Sequence, residues 1–153
     1  MSIFFSRQCE YALQAVMYIA LKPENEMSSI RELARTLNIP YHFLAKILQD
    51  LTRKGLLTSL KGSAGGYMLA RPKETITPFH IVEAIDGSSF LNSCLLGFPT
   101  CSDEKPCAVH AEWHQLRDKL HNMLKSTNVY DAALSMKKPQ YLQNPAKAST
   151  TTK

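Results

Sequence analysis

The sequence predicts a mainly α-helical fold carrying one small β-hairpin, with a compact three-helix head followed by a long separate helix. Three observations predict it. Apolar residues recur at helical spacing through three short segments that end near Lys54. Two runs of strand character, 56–60 and 66–70, flank the turn-rich stretch Lys61-Gly62-Ser63-Ala64-Gly65. A heptad stripe of Val109, Trp113, Leu116, Leu120 and Met123 then marks one face of a later segment.

Each element follows from local chemistry. Tyr11, Ala12, Ala15, Val16, Ile19 and Ala20 make 8–21 a first helix, broken by Lys22-Pro23-Glu24-Asn25-Glu26. Ser29-Ile30-Arg31-Glu32 reads as a capping box that opens a second helix reaching Leu37. Asn38-Ile39-Pro40 is a tight turn. A third helix runs from Tyr41 to Lys54 with Leu44, Ile47, Leu48 and Leu51 inward, and Gly55 sits where a left-handed cap belongs. Thr77-Pro78 opens a short helix that ends at Asp86-Gly87.

The second half is organised differently. Residues 88–106 are rich in Ser, Gly and Pro and have no periodicity. The long helix is expected from Cys107 to Lys125 and a short one from Val129 to Met136. The tail 137–153, rich in Pro, Thr, Ser and Lys, is expected to be disordered. The chain thus divides into a head at 1–87, a cysteine loop at 88–106, a helical pair at 107–136 and a basic tail at 137–153.

The 153 residues, 44% hydrophobic, suffice for one compact domain with an appendage. No apolar stretch approaches the roughly 20 residues of a membrane span. No signal peptide is legible, so a cytoplasmic location is expected. Reduced thiols in that compartment point four cysteines toward metal or redox chemistry rather than disulfides. The net charge of +5 is unevenly spread: residues 1–80 carry +4, 81–136 carry −3 and 137–153 carry +4. A basic head beside an acidic segment suits a polyanion-binding face, although a solvated basic surface would look the same.

Helix, helix, tight turn, helix and hairpin is the order of a winged helix-turn-helix, whose third helix would enter the major groove of double-stranded DNA. Its outward positions include Tyr41, His42, Lys46, Gln49 and Arg53. Lys reaches guanine acceptors, Gln can pair with adenine and Arg can hold phosphate. Lys54, Lys61 and Ser63 extend that surface onto a hairpin tip that its glycines keep slim. The heptad stripe of the long helix suits pairing between two copies of the chain, although a helix packed on its own domain would show the same stripe. No G-x-G-x-x-G, P-loop, H-E-x-x-H or G-x-S-x-G motif occurs, which argues against an enzyme.

Cys94, Cys101 and Cys107 follow a C-x6-C-x5-C pattern, and His110 comes three residues after the last cysteine. Zinc ribbons and bacterial ferredoxins space their cysteines more tightly. A loose loop running into a helix start can wrap a larger inorganic cluster, and amides there stabilise thiolate charge. Three thiolates are one short of four ligands, which leaves room for a displaceable fourth. Iron–sulfur is the leading expectation; a Cys3His zinc site and metal-free thiol chemistry remain alternatives. Cys9, on the first helix, reads as a packed side chain.

Several segments resemble the Rrf2 family of bacterial regulators. Glu10-Tyr11-Ala12-Leu13-Gln14-Ala15 resembles its opening, and Lys54-Gly55-Leu56-Leu57 with Lys61-Gly62-Ser63-Ala64-Gly65-Gly66-Tyr67 resembles its wing. Ile81-Val82-Glu83-Ala84-Ile85-Asp86-Gly87 and Cys107-Ala108-Val109-His110-Ala111-Glu112-Trp113 are similar to its later motifs, over residues 3–136 in all. The resemblance implies a homodimer with crossed long helices. It also implies a [2Fe–2S] or [4Fe–4S] cluster on Cys94, Cys101 and Cys107. The fourth ligand it implies is His110, as in regulators of iron–sulfur assembly, or Glu10, in the region that nitric-oxide sensors use across the dimer. Local helix geometry favours His110. The expected function is a DNA-binding regulator, repressing in sense, whose operator affinity follows a cluster that senses iron–sulfur status, nitric oxide or redox state. A metal-free or zinc-containing regulator of the same fold is the alternative, and a redox enzyme using the cysteines is the weakest reading.

Overall fold

The computed structural model describes residues 4–142. The order is α1 (Arg7–Ala20), α2 (Ile30–Leu37), α3 (Tyr41–Arg53), β1 (Leu57–Leu60), β2 (Gly66–Leu69), α4 (Pro78–Ile85), α5 (His110–Ser126), α6 (Val129–Ser135) and α7 (Pro139–Leu142). Single 3-10 turns occupy Lys73–Thr75 and Ser89–Leu91.

α1 is the central strut. Ala12, Ala15, Val16 and Ile19 face inward and are buried, and the alanines let α3, α4 and α6 approach closely. Its start is fixed twice: the Ser6 hydroxyl accepts from the Cys9 amide at 3.1 Å, and the Ser6 amide donates to the Asp86 carboxylate at 2.8 Å. That second bond ties the N-terminus of α1 to the C-terminus of α4.

The helix-turn-helix unit forms for the reasons the sequence suggests. Ser29 caps α2 by accepting from the Glu32 amide at 3.1 Å. The box closes only by half, because the Glu32 side chain turns instead to Tyr18 and Lys22. Asn38 ends α2 in the left-handed conformation at φ +54°, a position that Asn tolerates. Leu44, Ile47, Leu48 and Leu51 of α3 are fully buried. Each such side chain contributes about 1.5–3 kcal/mol by leaving water.

The wing is a two-stranded antiparallel sheet paired from Leu57↔Leu69 to Leu60↔Gly66. Ser28 pairs with Tyr67 through two main-chain bonds of 2.9 Å, which moors the wing to the segment entering α2. This mooring requires glycine at position 66, where a Cβ would lie 2.5 Å from the Ser28 carbonyl oxygen.

A second, smaller cluster of Cys9, Phe79, Val82 and Leu124 seats α5 on the head. Three expectations need correction here. The long helix begins at His110, not Cys107: the His110 amide closes a short turn on the Cys107 carbonyl at 3.2 Å, and Cys107 stays in the loop facing Cys94. The heptad stripe splits, because Trp113 is buried with Leu124 while Leu116 and Met123 are 56% and 59% exposed. Finally, the tail is ordered at its start. Pro139–Leu142 is a helical turn whose Tyr141 is 1% exposed. The remainder of the expected disordered tail, from 143 onward, lies outside the described residues.

Candidate nucleic-acid interface and cysteine centre

Burial of one stripe of α3 leaves the opposite flank free. Tyr41, His42, Lys46, Gln49 and Arg53 are exposed along it, as are Lys54 after the helix and Lys61 and Ser63 on the wing tip. Tyr41 and Gln49 share a groove with Lys61 and Ser63, so α3 and the wing present one continuous surface. Arg53 is partly committed, since its guanidinium pairs with Asp50 on the same helix. Arg31, exposed in the first turn of α2, lines the same groove and was not singled out from the sequence. The signal was present: the cap at Ser29 and the inward Ile30 leave Arg31 facing out toward the wing. Such a surface can place cations on phosphates and amide or hydroxyl groups on base edges.

The cysteine loop joins α4 to α5. It is anchored by Trp113, whose indole Nε1 donates to the Ser93 carbonyl at 2.8 Å, and by the Ser93 hydroxyl, which donates to the Ser89 carbonyl at 2.7 Å. The next residue, Cys94, is therefore held at a fixed place. Its Sγ lies 3.8 Å from Cys107 Sγ. The Phe98 amide holds the Cys94 thiol below the ordinary thiol range; burial opposes this, and the amides of Leu96 and Gly97 and the Cys107 thiol reinforce it. Gly97, at φ +78°, makes the tight turn that brings those amides round.

Cys101 and His110 form a separate pair. Cys101 Sγ is 3.3 Å from His110 Nδ1, and His110 Nε2 is 2.9 Å from Asp103 Oδ1. His110 is buried and Asp103 is exposed. Asp103 was not anticipated; it lies in a loop without periodicity, and only the fold brings it under the ring. Glu10, the other expected fourth ligand, sits in the first turn of α1 and pairs with Arg7 at 3.1 Å. Cys9 is fully buried, and burial, with the Asp86 and then Glu10 charges, pushes its thiol up to about 12. Among the described residues, no three Cys, His, Asp or Glu side chains converge to hold one metal ion. The four sequence-assigned ligands are thus brought together as two pairs, not as one cage.

The pair spacings can be tested against metal geometry. Two thiolates on one tetrahedral ion, each about 2.3 Å from it, stand about 3.8 Å apart, and a thiolate and an imidazole about 3.5 Å apart. Cys94 with Cys107 meets the first value, and Cys101 with His110 falls close to the second. The donor chemistry and spacing fit a thiophilic metal group with two separate binding edges.

A helix-turn-helix with a moored wing, followed by a thiol-bearing loop and a half-exposed long helix, defines a class: a winged-helix transcriptional regulator rather than an enzyme. More particularly, the chain belongs to the Rrf2 family, whose description is "Iron-dependent Transcriptional regulator" and whose sequence model matches residues 5–134. It is 28% identical over 127 residues to the HTH-type transcriptional regulator NsrR of Shouchella clausii, covering 82% of this chain and 85% of that one. It is 28% identical over 116 residues to the HTH-type transcriptional regulator IscR of Escherichia coli, covering 76% and 71%. Among solved structures it is similar to CymR, titled the global cysteine regulator of Bacillus subtilis, at a TM-score of 0.69 and 26% identity. That match covers 84% of this chain and 94% of the other.

Proposed function

We propose that this regulator binds operator DNA as a homodimer and that an iron–sulfur cluster on its cysteine loop sets operator affinity. The observation that carries the reading is the pair of donor edges, Cys94–Cys107 and Cys101–His110, each spaced for one tetrahedral metal atom. Two separate edges favour a [2Fe–2S] group, with His110 rather than Glu10 as the fourth ligand. The description of the family as iron-dependent supports iron over zinc. A bound cluster would supply a redox- and ligand-sensitive centre.

The remaining steps belong to the chain itself. The exposed flank of α3 enters the major groove, with Lys46 and Gln49 at base edges and Tyr41, His42, Arg53 and Lys54 toward the backbone. Lys61, Ser63 and Arg31 contact phosphate from the wing side. Leu116 and Met123, exposed on α5, meet their counterparts in a second copy. The cysteine loop links α4, which packs on the head, to α5. Its conformation therefore sets the angle between head and dimer seam. Half-sites require recognition helices about 34 Å apart, so a small change in that angle weakens specific binding. Among the described residues no helix is long and apolar enough to cross a membrane, and the protein acts in the cytoplasm, where thiols stay reduced.

Two measurements test this. Protein purified without oxygen should contain iron and acid-labile sulfide; stoichiometric zinc without sulfide overturns the cluster. Operator titration should separate the loaded protein, the cluster-free protein and a Cys94/Cys101/Cys107 triple Ala variant by roughly 5–150-fold, the span of ordinary allosteric coupling. Equal affinities would leave the loop without a regulatory role.

A further inference from the structure

We infer that Asp103 is a positioning residue that fixes the orientation and tautomer of His110, presenting ring nitrogen Nδ1 to the cysteine centre. The geometry is explicit. His110 Nε2 lies 2.9 Å from Asp103 Oδ1, and Nδ1 lies 3.3 Å from Cys101 Sγ. A neutral imidazole carries one N–H, and an ionised carboxylate can only accept. The hydrogen therefore sits on Nε2 and is donated to Asp103. Nδ1 keeps its lone pair and faces the sulfur, whose thiol hydrogen it can accept in the cluster-free protein.

The ring is held by burial and the main chain that carries Asp103 by a turn. His110 begins α5 and is 7% exposed, so its ring has few alternative positions. Asp103 lies in a tight turn closed by the Ser102–Lys105 bridge, with the Lys105 amide on the Ser102 hydroxyl at 3.3 Å. A carboxylate behind an imidazole both fixes the ring and strengthens the opposite nitrogen as a donor to metal. Without Asp103 the ring can turn over and offer Nε2 instead, which would move the donor atom away from Cys101.

For its consequence this inference rests on the cluster reading, but its first test does not. In full-length cluster-free protein, proton and nitrogen NMR should show a slowly exchanging His110 Nε2–H. Asp103→Ala should lose that protection and Asp103→Glu should restore it in part. Equal exchange in the wild type and Asp103→Ala overturns the inference whatever the protein binds. In reconstituted protein, loss of the cluster to an iron chelator should be about 10–100-fold faster in Asp103→Ala, the range typical for removal of a hydrogen bond behind a metal ligand. The Glu variant should recover most of that difference. A faster loss in His110→Ala with none in Asp103→Ala would also overturn it while leaving the cluster reading intact. If no variant takes up iron and sulfide, the cluster reading fails and the exchange measurement alone decides the role of Asp103.

Discussion

Tyr141 donates its phenolic hydroxyl to the main-chain carbonyl of Gln14 at 2.8 Å, which pins α7 to the middle of α1 across 127 residues of sequence. With its ring fully buried, Tyr141 closes the far side of the head core. Tyr141→Phe should destabilise the protein by about 1 kcal/mol, the worth of one such bond. Tyr141→Ala should cost about 3–5 kcal/mol, as for other buried aromatics. Urea unfolding measures both. An Ala variant as stable as the wild type would mean that α7 does not dock.

The wing and recognition helix should separate in their effect on DNA. Lys61→Ala should weaken binding to every sequence and lower the slope of log affinity against log salt by about 0.9, one phosphate contact. Arg31→Ala should behave alike, since it lines the same groove. Gln49→Ala should change preference at one base pair by about 1–3 kcal/mol with little change in slope. Fluorescence anisotropy at several salt concentrations reads all three. An unchanged slope in Lys61→Ala would remove the wing from the backbone.

Cysteine reactivity should be ordered by environment. Cys9, pushed up to about 12, has roughly one molecule in ten thousand ionised at pH 8 and is sealed under Phe79 and Leu124. Cys94 is lowered by the amides around its sulfur. In cluster-free protein iodoacetamide should therefore modify Cys94 well before Cys9, which should react only after unfolding, as read by peptide mass spectrometry. Early labelling of Cys9 would contradict its packing.

His80 should make stability depend on pH. Its Nδ1 accepts from the Thr77 amide at 3.0 Å at the start of α4. Burial, then Arg71 and Lys125, lower its pKa against a partial pull from Glu83. The unfolded ring, near 6.5, therefore binds a proton more readily than the folded one. Its contribution is present above about pH 6.5 and is lost as pH falls through the lower folded value. Compared with His80→Asn, which can accept the same bond without titrating, the wild type should lose relative stability between pH 7.5 and 5. A pH-independent difference between the two proteins would contradict this.

The head was legible because its helices bury one stripe each, and a 3.6-residue period survives in sequence. Leu44, Ile47, Leu48 and Leu51 are an example, all fully buried. The wing was legible because its tip is a local turn, in which a Cβ on Gly65 would run into the Leu60 carbonyl. What was not legible depended on contacts distant in sequence. α7 is four residues long, too short for any period, and is held by a partner on α1. The start of α5 shifted because Cys107 faces Cys94, a pairing that no local propensity encodes. The spacing of Cys94, Cys101, Cys107 and His110 marked one neighbourhood, yet its division into two pairs and the carboxylate of Asp103 emerge only from the loop's path.

Trp113 is the single tryptophan of the chain, and it bonds Ser93 and stacks on Phe4 with ring centroids 6.4 Å apart at 13°. The protein thus carries its own optical gauge of the cysteine loop. Its emission comes from one ring in one place, next to the residue that precedes Cys94. Detachment of the loop would expose that indole and shift its fluorescence to the red. Loop seating could then be followed in real time during DNA binding or oxidation, without a dye and without an added label.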